Sequence, residues 1–519
     1  MFDVAFQRAN AMPDRMELQL NLPSSAGRPT RRDPAAPLRI LVMADFSGRG
    51  HREEAPADLI DISDRRLWTV DVDNLDAVMA RIAPKLRLPL DPAGDGVINI
   101  GFAQLDDFHP DALYQRLELF QALRRTRARL LNPASFAQAV AELAPPPLAE
   151  PVQTEPPTTN GDEADLLGRL LGKAPTPTAT PARTSDPGAA AVQNLLQAVI
   201  RPHIVHTDAR QPAWIAALDA AIGEQLRTIL HQPGFQALEA AWRSMHNLVN
   251  AIDGELVQVS LLDITRQELL ADLRTAGGAP KATGLYTLLI DRGVRMHGGQ
   301  PWSLLVGDYR FGTGAEDIAL LAHLGSLAAH AGGPFLAAAE PSVLVGDATT
   351  TWADPARWSP LAAADQQRWQ LLRRSAVAPW LGLSLPRVLL RLPYGQKTDP
   401  LDQIAFEEMP GGRAPEGYLW GNPAFVCARL LAAAFMDSGW DFSPDDVLEL
   451  DDLPAHVYEE AGERVLQPVA EVLLGERAAQ AILAQGLMPL LSHRQRNAVR
   501  LARFQSLAEP ATALAGPWR

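Results

Sequence analysis

One cysteine in 519 residues leaves nothing to cross-link. Without a second thiol there is no intrachain disulfide framework, and a cytoplasmic setting is the simplest expectation. Around Cys427 the segment FVCARLLAAAF spaces apolar residues as a helix does, which predicts a small buried hydrophobe and no nucleophile. Positive charge is scarce too: 47 Lys and Arg against 61 Asp and Glu leave a net charge of -14. Nucleic-acid affinity depends on Lys and Arg neutralising phosphates, so no nucleic-acid partner is expected. Nor does any segment offer about 20 apolar residues free of charge, so direct membrane insertion is not expected. The opening MFDVAFQRANAMPDRMELQLNL has no basic region followed by an unbroken apolar one, which argues against a standard secretory leader.

The motifs of catalysis are also missing. GRLLGK (168–173) ends like a phosphate-binding loop but is one residue short and is followed by Ala174. GLSLP around Ser384 lacks the second glycine of a nucleophile elbow, and no H-E-x-x-H zinc motif occurs. His203 and His206 have no third ligand at a credible spacing. Asp71 with Asp73, and His109 beside Asp106 and Asp107, suit helix starts better than metals. No enzyme, cofactor or metal site is expected.

What the chain does have is two folded regions and a tether. Residues 144–190, rich in Pro, Thr, Ala and acids, cannot bury enough apolar surface to repay their ordering entropy and read as a disordered linker. The expected division is a first domain over 1–143, the linker over 144–190 and a second domain over 191–519. Such a tether fixes the stoichiometry of the two at one to one.

In the first region LRILVMADFSG (38–48) reads as a buried strand running into a turn at Asp45, Ser47 and Gly48. LWTVDVDN follows as a short strand, LDAVMARIAPKL as a helix capped by Asp73 or Asn74, then GVINIG as a strand before a long amphipathic helix. In the second region HQPGFQALEAAWRSMHNLV is a helix whose Phe235 and Trp242 fill a core, and Thr265 with Glu268 forms a capping box. LLVGDYRFG and PFLAAA read as strands around an amphipathic helix. This alternation gives the expected fold class: mixed α/β, layered sheets with flanking helices. In LPRVLLRLPYG, Pro386, Pro393 and Gly395 enforce extended and turn geometry, and Arg387 and Arg391 are expected to clamp carboxylates such as Glu407 and Glu408.

The ordered motifs resemble a known family. LVMADFSG with Asp45, Ser47 and Gly48, then LWTVDVDNLDAVMARIAPKL and INIGFAQLDDFHPDAL, is similar to the small contractile-sheath subunit of type VI secretion systems. Beyond the tether, the helix with Trp242 and Arg243, LLVGDYRF with Gly307 and Asp308, the segment with Arg387, Arg391, Pro393, Tyr394 and Gly395, and YLWGNPAF with Trp420, Gly421 and Asn422 resemble the large sheath subunit in order. The resemblance implies a fused sheath protomer whose two regions share one α/β body. It further implies self-assembly around an inner tube protein and attachment to a baseplate. An accessory, cap or baseplate-associated relative is the second reading, and an enzyme a distant third.

Two features bear on assembly. Met16–Leu22 and Ala498–Leu507 alternate enough to be terminal strands exchanged with neighbours, or ordinary edge strands within the chain. Leu166, Leu167, Leu170 and Leu171 lie on one face of a two-turn helix inside the tether. In the large-subunit family a similar leucine-containing helix is recognised by a AAA+ disassembly ATPase; folding back onto the protomer is the alternative.

Overall fold

The computed structural model describes residues 33, 35–52, 61–89, 97–143, 211–345, 353–460 and 462–518. The tether with its four leucines, Met16–Leu22, and His203 and His206 lie outside these residues. The strands run in chain order as β1 (Leu38–Ala44), β2 (Trp68–Val70), β3 (Lys85–Pro89), β4 (Val97–Gly101), β5 (Val257–Asp263), β6 (Leu304–Phe311), β7 (Phe335–Ala339), β8 (Leu381–Leu385), β9 (Val388–Leu389), β10 (Trp420–Gly421), β11 (Glu449–Leu450), β12 (Val457–Glu460), β13 (Glu463–Leu466), β14 (Met488–Ser492) and β15 (Val499–Leu501).

Nine of them make one sheet, in the order β11-β15-β14-β8-β7-β6-β1-β5-β2. The six from β14 to β5 run parallel, and antiparallel strands close both ends. Parallel strands covered on both faces are apolar rather than alternating, and the inner strands β7 and β8 are so, whereas β5 toward the edge alternates through Gln258 and Ser260. FLAAA of β7 and LGLSL of β8 are buried at every position. The expected mixed α/β class with flanking helices is what the structure has.

The strand that matters most is β1. It comes from the first sequence region yet lies between β5 and β6 of the second, pairing with β5 from Leu38↔Val257 to Ala44↔Asp263 and with β6 from Ile40↔Leu304 to Met43↔Gly307. Every β1 residue except Arg39 is fully buried. β2, also from the first region, closes the sheet beside β5. A core strand cannot be withdrawn without exposing both neighbours.

Helices cover the sheet for local reasons. Pro233–Val249 starts on Pro at its first position and buries Phe235, Leu238, Trp242, Met245 and Leu248. Arg266–Thr275 begins with the Thr265–Glu268 capping box, as expected. Ala315–Ala331 is buried over most of its length and stops at Gly332, whose φ of 95° suits glycine. Pro423–Ser438 encloses Cys427, whose thiol burial pushes up to about 12, so it stays protonated and unreactive.

This compact body comprises the described residues within Met1–Leu88, Val97–Ala112 and Arg227–Arg519. A second compact unit comprises those within Pro89–Gly96 and Leu113–Leu226. In the latter, Glu118–Leu131 packs with the first turns of Gln211–Leu230, and Arg127 grips Asp219 through Nε at 2.6 Å and Nη2 at 3.1 Å.

Of the two readings of Ala498–Leu507, the structure takes the intrachain one. β15 is flanked by β14 and β11, and Phe504–Leu507 are buried. The alternation at Val499–Leu501 belongs to a strand paired on both sides within the chain.

Candidate functional site

The parallel strands end together, and a charged seam lies across their carboxyl ends. β1 runs out into Asp45, which accepts from the backbone N–H of Arg49 at 3.0 Å and of Gly50 at 2.9 Å. That folds Asp45–Gly50 into a tight loop, with Gly48 at φ 71° and no room for a Cβ, which would lie 2.8 Å from the Lys85 carbonyl. The loop aims Arg49 across β5. Its Nε and Nη2 donate to Glu268 at 2.9 and 2.8 Å, Nη2 to the Asp263 carbonyl at 2.8 Å, and Nη1 pairs with the Asp263 carboxylate. Arg65 approaches the same carboxylate, 2.9 Å from Glu268 Oε2 and 2.5 Å from Oε1. Ser47 N–H donates to Asp263 at 3.0 Å.

Two arginines from the first region thus clasp two carboxylates of the second. Burial works against ionising Glu268, but hydrogen bonds from Arg65 and Arg49 outweigh it and hold the carboxyl at about 2. Asp45 has its pKa raised, by burial first and by neighbouring Asp263 second. Next to them burial pushes Asp308 up to about 6, against a hydrogen bond from Asn422. Because β1 pairs residue by residue with β5, a slip by one position would turn its side chains to the opposite face and part Arg49 from its acids.

A second cluster is more deeply buried. Arg391 Nε donates to Glu239 Oε1 at 2.8 Å and Nη1 to Glu408 Oε2 at 2.8 Å, while its guanidinium lies 4.2 Å from the Tyr394 ring centroid. Arg243 Nε donates to Glu239 at 2.7 Å and Nη2 to the Tyr394 hydroxyl at 3.0 Å. Burial opposes charge on Glu408, yet Arg391 and His231 keep it at about 2. These charges neutralise one another, and every donor position on Arg391 is directed at protein oxygens, leaving no open face for a substrate. The arrangement is a clamp.

Two family models match the chain: "EvpB/VC_A0108, tail sheath N-terminal domain" over residues 212–508, more than half its length, and "Type VI secretion system, VipA, VC_A0107 or Hcp2" over 16–144. The chain belongs to the tail sheath family. Type VI secretion system sheath protein TssC1 of Pseudomonas aeruginosa is 32% identical over 305 residues, covering 57% of this chain and 61% of that protein. Sheath protein TssB1 of the same organism is 30% identical over 100 residues, 18% of this chain and 55% of that protein. The chain therefore spans between one half and two thirds of each of these relatives.

In this sheath-family chain the small-subunit-like and large-subunit-like motifs meet at the first cluster, while the second is built from the large-subunit-like region. Asp45, Ser47 and Gly48 build the seam loop, and Trp242, fully buried, donates Nε1–H to the Phe46 carbonyl at 2.9 Å, tying the large-subunit helix to that loop. Gly307 and Asp308 lie in β6, where a Cβ on Gly307 would come 2.5 Å from the Phe335 ring. Asn422 caps its helix by accepting from Ala424 N–H at 3.0 Å and donates to the Tyr309 carbonyl at 3.1 Å. Trp420 Nε1 donates to the Pro415 carbonyl at 2.9 Å, and Gly421 leaves room for Leu390. Pro393 and Gly395 shape the turn that presents Tyr394 N–H to Glu408 at 2.8 Å.

One expected pairing is corrected. Arg391 does hold Glu408, but Arg387 pairs with Glu471, Nε to Oε2 at 2.9 Å, and Glu407 instead accepts from Gln396 N–H at 3.1 Å. Glu471 lies 84 residues from Arg387, so nearest-carboxylate reasoning fails there. Arg49, Arg65, Asp263 and Glu239 escape the sequence reading. Their only local signal is Glu268, visible as a capping residue and not as an ion-pair partner.

Proposed function

We propose that the chain is a structural, non-catalytic protomer of a contractile sheath, with its small-subunit-like and large-subunit-like regions fused and working in the cytoplasm. The observation that carries this is β1, a strand of the TssB-like region lying between two strands of the TssC-like region. Two subunits that complete one sheet act as a single mechanical body, which is what a repeating element needs to transmit a change of packing to identical neighbours. In this reading the partners are further copies of the chain, an inner tube protein that the sheath drives outward, and a baseplate.

Negative-stain electron microscopy of the purified chain tests it. Tubes or stacked rings are the expected result. Particles that stay the size of one or two chains at every concentration and salt would defeat the sheath reading and favour an accessory or baseplate role.

A AAA+ ATPase that takes the sheath apart belongs to the same proposal, with Leu166, Leu167, Leu170 and Leu171 as its recognition face. Replacing Leu167 and Leu170 by Ser should leave thermal stability unchanged and abolish capture by the cognate ATPase in a pull-down. Retained capture with a lowered Tm would show that the leucines serve the fold.

A further inference from the structure

Next to the seam loop, whose Ser47 carbonyl accepts from Lys85 N–H at 3.0 Å, the β3–β4 hairpin carries a cationic groove. β3 alternates strictly: Leu86 and Leu88 point into the core, so Lys85 and Arg87 point out, two positions apart on one face. β4 sets Val97 and Asn99 beside them, and Arg52 lines the same groove, which encloses about 640 Å³. Among the described residues, its lining holds three cations and no carboxylate. Neither Lys85 nor Arg87 forms an ion pair with a described carboxylate. In a chain of net charge -14, a cluster of this sign stands out.

The complementary feature is the β12–β13 hairpin. Among the described strands it pairs with no other, and Val457, Glu459, Glu460, Glu463 and Arg464 are exposed. Its register sets Glu459 opposite Arg464 and Glu460 directly opposite Glu463. Like charges facing across two strands destabilise a hairpin, and a cationic surface laid against them removes that cost. Lys397, 3.6 Å from Glu459, is the described cation paired with this group, and it is highly exposed.

We propose that the β3–β4 groove receives the acidic β12–β13 hairpin of a second copy of this chain. The inference rests on the self-assembling role proposed above and names one contact through which it occurs. Groove and hairpin are different surfaces, so the contact is head-to-tail: each copy offers a groove and a hairpin to the next. Contacts of that kind build rings or helical filaments rather than closed dimers.

Charge reversal tests the contact in the full chain, with self-association followed by sedimentation velocity across protein concentrations. K85E/R87E and E460K/E463K each change only exposed side chains, so Tm should match the parent while association weakens about tenfold or more. Uniting all four substitutions restores opposite charges across the contact and should bring association back to within a few-fold of the parent. Raising salt from about 0.05 to 0.5 M should weaken the parent and leave the singly reversed chains little changed. Parent-like association of K85E/R87E, or a fourfold variant no better than either reversed chain, would overturn the proposal. If the parent forms no tubes yet shows salt-sensitive association lost in both reversed chains, this contact stands and the sheath reading falls. If the reversed chains form tubes as the parent does, the sheath reading stands and this contact falls.

Discussion

A protease site inserted near Thr178 and then cut leaves both pieces in one peak on a sizing column. The fragment carrying residues 1–178 supplies β1, and Leu38, Ile40, Leu41, Val42 and Met43 of that strand are fully buried between β5 and β6. Burying an aliphatic side chain of this size contributes about 1.5–3 kcal/mol, so the five together supply on the order of 10 kcal/mol. Covalent linkage through a tether holds two partners at an effective concentration of about a millimolar. Cutting it at micromolar protein therefore costs roughly 4 kcal/mol. Strand burial exceeds that loss before the Arg49 and Arg65 pairs with Glu268, the Trp242 bond to Phe46, and the Trp440 bond to the Ala36 carbonyl at 2.7 Å are counted. The pieces should separate only under conditions that unfold the sheet. Elution as two folded species in native buffer would mean that β1 is not a core strand, and the shared-body account would fail with it.

The sequence makes the elements legible and conceals their neighbours. LRILVMA announces a buried strand because seven residues carry one charge, and PFLAAA does so because it carries none. Neither says which strand lies beside it. Alternation in AVRLARFQSL suggests an edge because period-two patterning marks one wet face, yet β15 is covered by β11 as well as β14. The glycines of the motifs are legible as turns, but Gly307 is needed for the Phe335 ring, a contact between adjacent strands that no local pattern encodes. Charge is hardest of all. Arg391 and Glu408 stand 17 residues apart and can be matched by eye, whereas Glu239 reaches the same guanidinium from 152 residues away. Ion pairs of that range follow from topology, and topology here includes two strands, β1 and β2, entering the sheet from the other side of the tether.

Arg391→Ala should destabilise the chain by roughly 3–5 kcal/mol, because it leaves buried Glu408 without its guanidinium partner and takes one of two from Glu239. In the parent, Glu239 and Glu408 are almost wholly buried and both are met by the one guanidinium. Arg243 would remain on Glu239, but Glu408 would keep only the Tyr394 N–H and His231, 3.5 Å away. The effect of pH separates this from a simple loss of packing. Folded Glu408 titrates at about 2, well below the value of about 4.3 for an unfolded glutamate, so the stability linked to its ionisation is present above that unfolded value and is lost as pH falls toward 2. The variant lacks the cation that produces this depression. Its deficit against the parent should therefore be greatest near neutral pH and shrink below about pH 4, as its carboxylates take up protons. Urea denaturation of both proteins at about pH 7 and about pH 3.5 measures the two gaps, on either side of the unfolded glutamate value. An equal gap at both pH values would place the loss in packing around the Tyr394 ring, and the clamp would not be electrostatic.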